Sequence, residues 1–141
     1  MSCNLKLWGT DFNVDAFLEK SGLTVYSIDR RGEPMFKFKP DGRKHDGSGC
    51  AAAVSDAKFN DFNEQVNDAI GYLEHNGETL KHISTAKGLE HAFLHFGASF
   101  NPGNGFYQSQ HLPPELVKLA AEVNIGITIS MYPHSEEELN Q

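Results

Sequence analysis

The residues with the most chemical potential in this sequence are cations. Arg30, Arg31, Lys37, Lys39, Arg43 and Lys44 fall within residues 30–45, against only Glu33 and Asp41. This stretch carries +4, which leaves −11 on the rest of a chain whose net charge is −7. A guanidinium can fork onto a carboxylate or phosphate, and an ammonium acts as a mobile point charge. The stretch is therefore a candidate surface for an anionic ligand or partner. The plainer expectation is that Lys37 and Lys39 shield an exposed edge strand from pairing with another molecule. Gly42, Gly47 and Gly49 invite comparison with a phosphate-cradling loop, but the GxxxxGK[ST] order is missing and no helix follows directly.

Histidine and cysteine offer less. His91 and His95 share a face of a predicted strand, but residues four apart on a strand are about 13 Å apart, too far to chelate one ion. The residue midway between them is Phe93. Without HExxH or a cysteine pair, no metal site is expected, even with His82 or His111 as remote partners. Cys50 follows Gly49 at the start of a small-residue strand, where a thiol packs and stays inert. No GxSxG is present, and no residue set calls for a cofactor. A second candidate surface is residues 99–107, where Phe100, Phe106 and Tyr107 flank the turn-forming Asn101-Pro102-Gly103-Asn104-Gly105. Its rings either meet a ligand or fold back on the core.

The elements that must position these groups follow from periodicity. Alternation over residues 3–8 predicts a strand with Cys3, Leu5 and Leu7 on one face. Asn13 caps a helix bearing Val14, Phe17 and Leu18, which Gly22 stops. Residues 23–28 are β-branched and aromatic enough for a returning strand. Phe36 and Phe38 alternate with Lys37 and Lys39, predicting a short strand over 35–39 with one wet face. A loop over 40–49 and a small-residue strand over 50–54 come next. The longest helix is predicted from about residue 58 or 60 to 75, with Phe59, Phe62, Val66, Ala69, Ile70 and Leu73 as its apolar stripe. A shorter helix runs to Gly88, and a strand over 90–96 follows. A brief strand is predicted at 106–108, and a helix opens at Pro113-Pro114-Glu115. Strict alternation of Ile125, Ile127, Ile129 and Met131 predicts the last strand, and the acidic tail 134–141 is expected to fray.

The segments 5–28 and 93–131 repeat one order: strand, turn or loop, helix, strand. This predicts an α+β fold, with two strand-helix-strand units in a mostly antiparallel sheet and helices on one face, ferredoxin-like or related. The 141 residues suit one domain, with 39% apolar and 22% charged residues marking a folded chain. No apolar run long enough for a membrane span or a signal peptide occurs, and two unpaired cysteines suit a reducing cytoplasm. The net charge argues against nucleic acid as a partner.

The motifs Leu7-Trp8-Gly9-Thr10-Asp11-Phe12, Arg31-Gly32-Glu33, Ser48-Gly49, Leu112-Pro113-Pro114-Glu115-Leu116 and Ile129-Ser130-Met131-Tyr132 together resemble the bacterial family called domain of unknown function 4279. The resemblance spans nearly the whole chain. It implies a bacterial origin and an α+β fold, and it supplies no catalytic residues. The leading expectation is a non-enzymatic binding or protein-interaction domain, whose partner is a protein or a small anionic ligand. An immunity-type inhibitor of a basic toxin or nuclease is one form that fits the acidic balance. The competing expectation is a small enzyme built from His91, His95, His111 or Arg30 and Arg31. A homodimer through sheet edges or the 100–107 loop is the third.

Overall fold

The computed structural model describes residues 1–103 and 107–134. In chain order the elements are β1 (Cys3–Gly9), α1 (Val14–Ser21), β2 (Ser27–Asp29), β3 (Ser48–Ser55), α2 (Phe62–His75), α3 (Gly77–Leu80), a 3₁₀ turn (Lys81–Thr85), β4 (His91–Phe100), α4 (Pro114–Glu122) and β5 (Gly126–Pro133). Helix ends follow local chemistry. The Asn13 side chain accepts the Ala16 N–H, and Gly22 (φ 71°) donates to the Leu18 carbonyl in the left-handed conformation that closes α1. Asp61 caps α2 by accepting from the Glu64 N–H at 3.2 Å. Pro114 and Glu115 occupy the first turn of α4, where a missing N–H costs nothing and a carboxylate meets the positive helix end.

The five strands form one sheet in the order β2-β3-β1-β4-β5. β1 lies antiparallel between β3 and β4, β2 is antiparallel to β3, and only β5 is parallel to its neighbour β4. Two strand-helix-strand units, β1-α1-β2 and β3-α2-β4, are thus interleaved: β3 sits between β1 and β2, and β1 sits between β3 and β4. The expected α+β architecture with a mostly antiparallel sheet is what the chain adopts. The repeat is differently distributed, however. Segments 5–28 and 93–131 are not equivalent, because the first unit is split by β3 whereas β4-α4-β5 joins adjacent parallel strands.

Alternation gives the sheet two different faces. Cys3, Leu5 and Leu7 of β1, Cys50 and Ala52 of β3, and Leu94, Phe96 and Ala98 of β4 are buried against Phe17, Val66, Ala69, Leu73, Leu116 and Ala120 of the helices. The opposite face carries Lys6 between Ala51 and Phe93, and Asn4 between Ala53 and His95. No helix covers it.

Four expectations are corrected. Residues 35–39 are not a strand: the Lys39 N–H returns to the Phe36 carbonyl at 3.0 Å and Gly42 to Lys39 at 2.9 Å, so the chain turns twice there. The edge-shielding role for Lys37 and Lys39 therefore has no strand to act on. The returning strand is only Ser27–Asp29. Phe59 lies outside α2, which begins after the Asp61 cap; its ring instead covers Gly97, where a Cβ would collide with it. Gln108 and Tyr107 are not in a strand, while Phe106 and residues 135–141 of the acidic tail lie outside the described residues.

Candidate interaction surface

Residues 30–47, between β2 and β3, fold into an irregular two-armed lobe. Its arms are tied by Gly32 N–H to the His45 carbonyl (3.0 Å), His45 N–H to Glu33 (2.9 Å) and Met35 N–H to Arg43 (2.9 Å). Gly32, at φ 84°, makes the turn into the first arm. At the base, the Arg31 N–H donates to Ser48 Oγ at 2.9 Å. Gly47 leaves room for the Trp8 indole, whose Cζ2 would stand 2.6 Å from any added Cβ.

Arg30 and Arg31 anchor the lobe to the body. Arg30 forks onto Asp15 with Nε at 3.0 Å and Nη2 at 2.9 Å, and Arg31 Nη1 donates to Asp11 at 2.9 Å. The guanidinium hydrogen bond holds the Asp15 carboxyl below its ordinary value. These groups line a shallow cleft of ≈ 360 Å³ with Phe12, Asn13 and Ser48. Since each arginine already faces a carboxylate, the cleft is balanced in charge and offers an anion little net attraction.

The tip differs. Phe36 is 51% exposed and Phe38 77%, with ring centroids 5.5 Å apart, and Met35 beside them is also exposed. Lys39 Nζ lies 5.9 Å from the Phe38 centroid. Lys37, Lys39 and Arg43 are exposed alongside the rings, and Lys44 donates to the Pro40 carbonyl on the return arm. Apolar rings and cations are thus interleaved on a projection that leaves the sheet between β2 and β3.

The structure does not bring every candidate residue to this lobe. Tyr107, 84% exposed, follows the far end of β4, whereas the lobe leaves the sheet at the Gly9–Ser48 end. His91 and His95 share the open sheet face, as expected, but do different things. His91 stacks on Trp8 at 5.9 Å, and His95 Nε2 lies 2.7 Å from Ser130 Oγ. Burial, with Lys6 adding to it, lowers the His95 pKa below its ordinary value. His111 is exposed ahead of α4 and joins neither. Among the described residues, no three His, Cys, Asp or Glu side chains gather closely enough for a metal ion, and no helix is long and apolar enough to cross a membrane. Cys3 and Cys50 are buried and unpaired, and burial pushes both thiols up to about 12.

A family model described as Domain of unknown function (DUF4279) matches residues 1–134. The chain belongs to this family. The match covers all five strands and the lobe, so the motifs at Leu7–Phe12 and Leu112–Leu116 sit inside a shared whole-chain pattern. No curated protein and no solved structure matches the chain.

Proposed function

We propose that this member of the DUF4279 family is a non-enzymatic protein-interaction domain of a bacterial cytoplasmic protein, and that the tip of the lobe is its contact surface. The observation that carries the reading is the exposure of Phe36 and Phe38 between Lys37, Lys39, Arg43 and Lys44. Exposed aromatics in one cluster are costly in water and are the residues that dominate interface energies. The surrounding cations select a partner whose apolar groove is rimmed by carboxylates, and they speed its encounter. An immunity-type inhibitor remains one form of this reading. The −7 of the whole chain suits a basic toxin, but the cationic lobe favours an acidic contact.

Affinity capture from the source cells tests it, with wild type beside Phe36→Ser/Phe38→Ser and beside Glu74→Lys on the exposed side of α2. Partners retained by Glu74→Lys but lost from the lobe variant support the reading. A partner set indifferent to the lobe change refutes it.

One observation favours an enzyme instead. The 2.7 Å between His95 Nε2 and Ser130 Oγ is the spacing of a nucleophile and its base. It lies on an open sheet face with Asn4, Lys6, Phe93 and Thr128 around it, and His91 and Arg30 are engaged elsewhere. Ester hydrolysis abolished by Ser130→Ala would establish this alternative; equal background rates in both proteins would end it.

A further inference from the structure

The two edges of the sheet are built in opposite ways. β2 is three residues long and ends on Asp29, a short, charged edge of the kind that discourages pairing with another chain. β5 has eight residues, Gly126-Ile127-Thr128-Ile129-Ser130-Met131-Tyr132-Pro133, with no charged side chain and proline only at its last position. Its register against β4 runs without a break from Gly126 opposite Phe93 to Pro133 opposite Phe100. It therefore lacks the shortness, the charge and the bulge that blunt an edge.

The direction of its free groups follows from one hydrogen bond. His134 N–H donates to the Phe100 carbonyl at 2.8 Å, so the peptide of residue 134 faces β4. Alternation then turns Thr128, Ser130 and Tyr132 toward β4 through their main chain and leaves the N–H and C=O of Ile127, Ile129 and Met131 directed outward.

From this we infer that β5 pairs with β5 of a second copy of this chain, antiparallel about a two-fold axis at Ile129. The sequence around that residue is a palindrome in chemical type. Ile129 meets Ile129, Ile127 meets Met131, Thr128 meets Ser130, and Gly126 meets Tyr132, leaving the tyrosine ring room over a glycine. Ile127, Ile129 and Met131 stand in register with Leu94, Phe96 and Ala98, so the pairing extends the buried face of one sheet into the other. Met131 is 44% exposed in the single chain, and this pairing covers it. The outward groups of Ile127, Ile129 and Met131 supply roughly six main-chain hydrogen bonds across the axis. Because the contact is isologous and the other edge is blunted, the product is a closed dimer and not a filament. It is independent of the lobe, which lies beyond β3 on the other side of the sheet.

Sedimentation velocity of the full chain over a wide concentration range, with and without Met131→Pro, tests the inference. Proline at 131 removes an outward N–H and places a ring where the partner strand would lie, yet breaks no bond to β4. The wild type is expected to be a dimer, and Met131→Pro to raise its dissociation constant at least about thirtyfold, with the melting temperatures of the two proteins converging at dilutions where both are monomeric. Ile129→Cys provides the check that does not depend on proline. Its Cα would lie about 5.5 Å from its own copy, within disulfide range. Oxidation should therefore link two chains, since Cys3 and Cys50 are buried. A monomeric wild type, a dimer that survives Met131→Pro, assembly beyond the dimer, or no Ile129→Cys crosslink would each overturn it.

Discussion

Replacing Phe38 with alanine is expected to leave the fold nearly as stable as before. With 77% of Phe38 exposed, only about a quarter of a side chain of roughly 200 Å² is covered. At about 25 cal/mol per Å², that burial contributes on the order of 1 kcal/mol, and less if the unfolded chain is compact. The Lys39 ammonium 5.9 Å from the ring adds about 0.5 kcal/mol at such an exposed site. The sum is at most about 1.5 kcal/mol. Phe96, with no exposed surface and packed against Phe62 at 5.4 Å, should cost about 3–5 kcal/mol when truncated to alanine. Urea unfolding of the two variants beside wild type measures both losses. If Phe38→Ala costs as much as Phe96→Ala, the lobe's rings are part of the core and the argument for a contact surface fails. If it costs little, the same variant should weaken partner binding by about 2 kcal/mol, roughly thirtyfold.

Three further outcomes follow from the packing. His95 has a folded pKa depressed below the ordinary 6.5 by burial first and by Lys6 second, so the unfolded chain binds its proton more readily. Its contribution is complete above 6.5 and is lost as pH falls through that value toward the folded one; the urea midpoint should drop in that window, and His95→Gln should flatten the drop. Ser99 Oγ is buried with no hydrogen-bond partner among the described residues, so Ser99→Ala should be neutral or stabilising by up to about 1 kcal/mol; a loss above 1 kcal/mol in thermal melts would show that the hydroxyl is satisfied. With both thiols buried and pushed up to about 12, native protein should resist maleimide at neutral pH while urea exposes Cys3 and Cys50 together, and rapid native labelling of either would contradict their placement.

Much of the architecture is legible in the sequence because local chemistry and tertiary structure agree there. Asn13 and Gly22 bracket α1 in both, and the alternation from Ile125 to Met131 becomes β5. Phe36-Lys37-Phe38-Lys39 misleads because alternation is the same for a half-buried strand and for a turn whose rings stay in water. Pro40-Asp41-Gly42 immediately after it was the signal for the turn. Phe59 fits the helical stripe by spacing, but Asp61 and Glu64 stand at capping distance and place the helix start beyond it. The basic stretch is visible as composition, whereas its division into anchoring and free cations is not. Arg30 and Arg31 find Asp15 and Asp11 across the fold, and no local pattern announces such pairs. The His95–Ser130 contact is equally hidden, since it depends on β4 and β5 being parallel neighbours.

The central claim is that the tip of the lobe meets a protein partner. Lysine-directed crosslinking in intact source cells, read by mass spectrometry, tests it most directly, because exposed lysines lie both on the lobe and on or beside the helical elements. Crosslinks to other proteins concentrated at Lys37, Lys39 and Lys44 are the predicted result. Crosslinks concentrated instead at Lys81, Lys87 and Lys118, on the helical side, would contradict it.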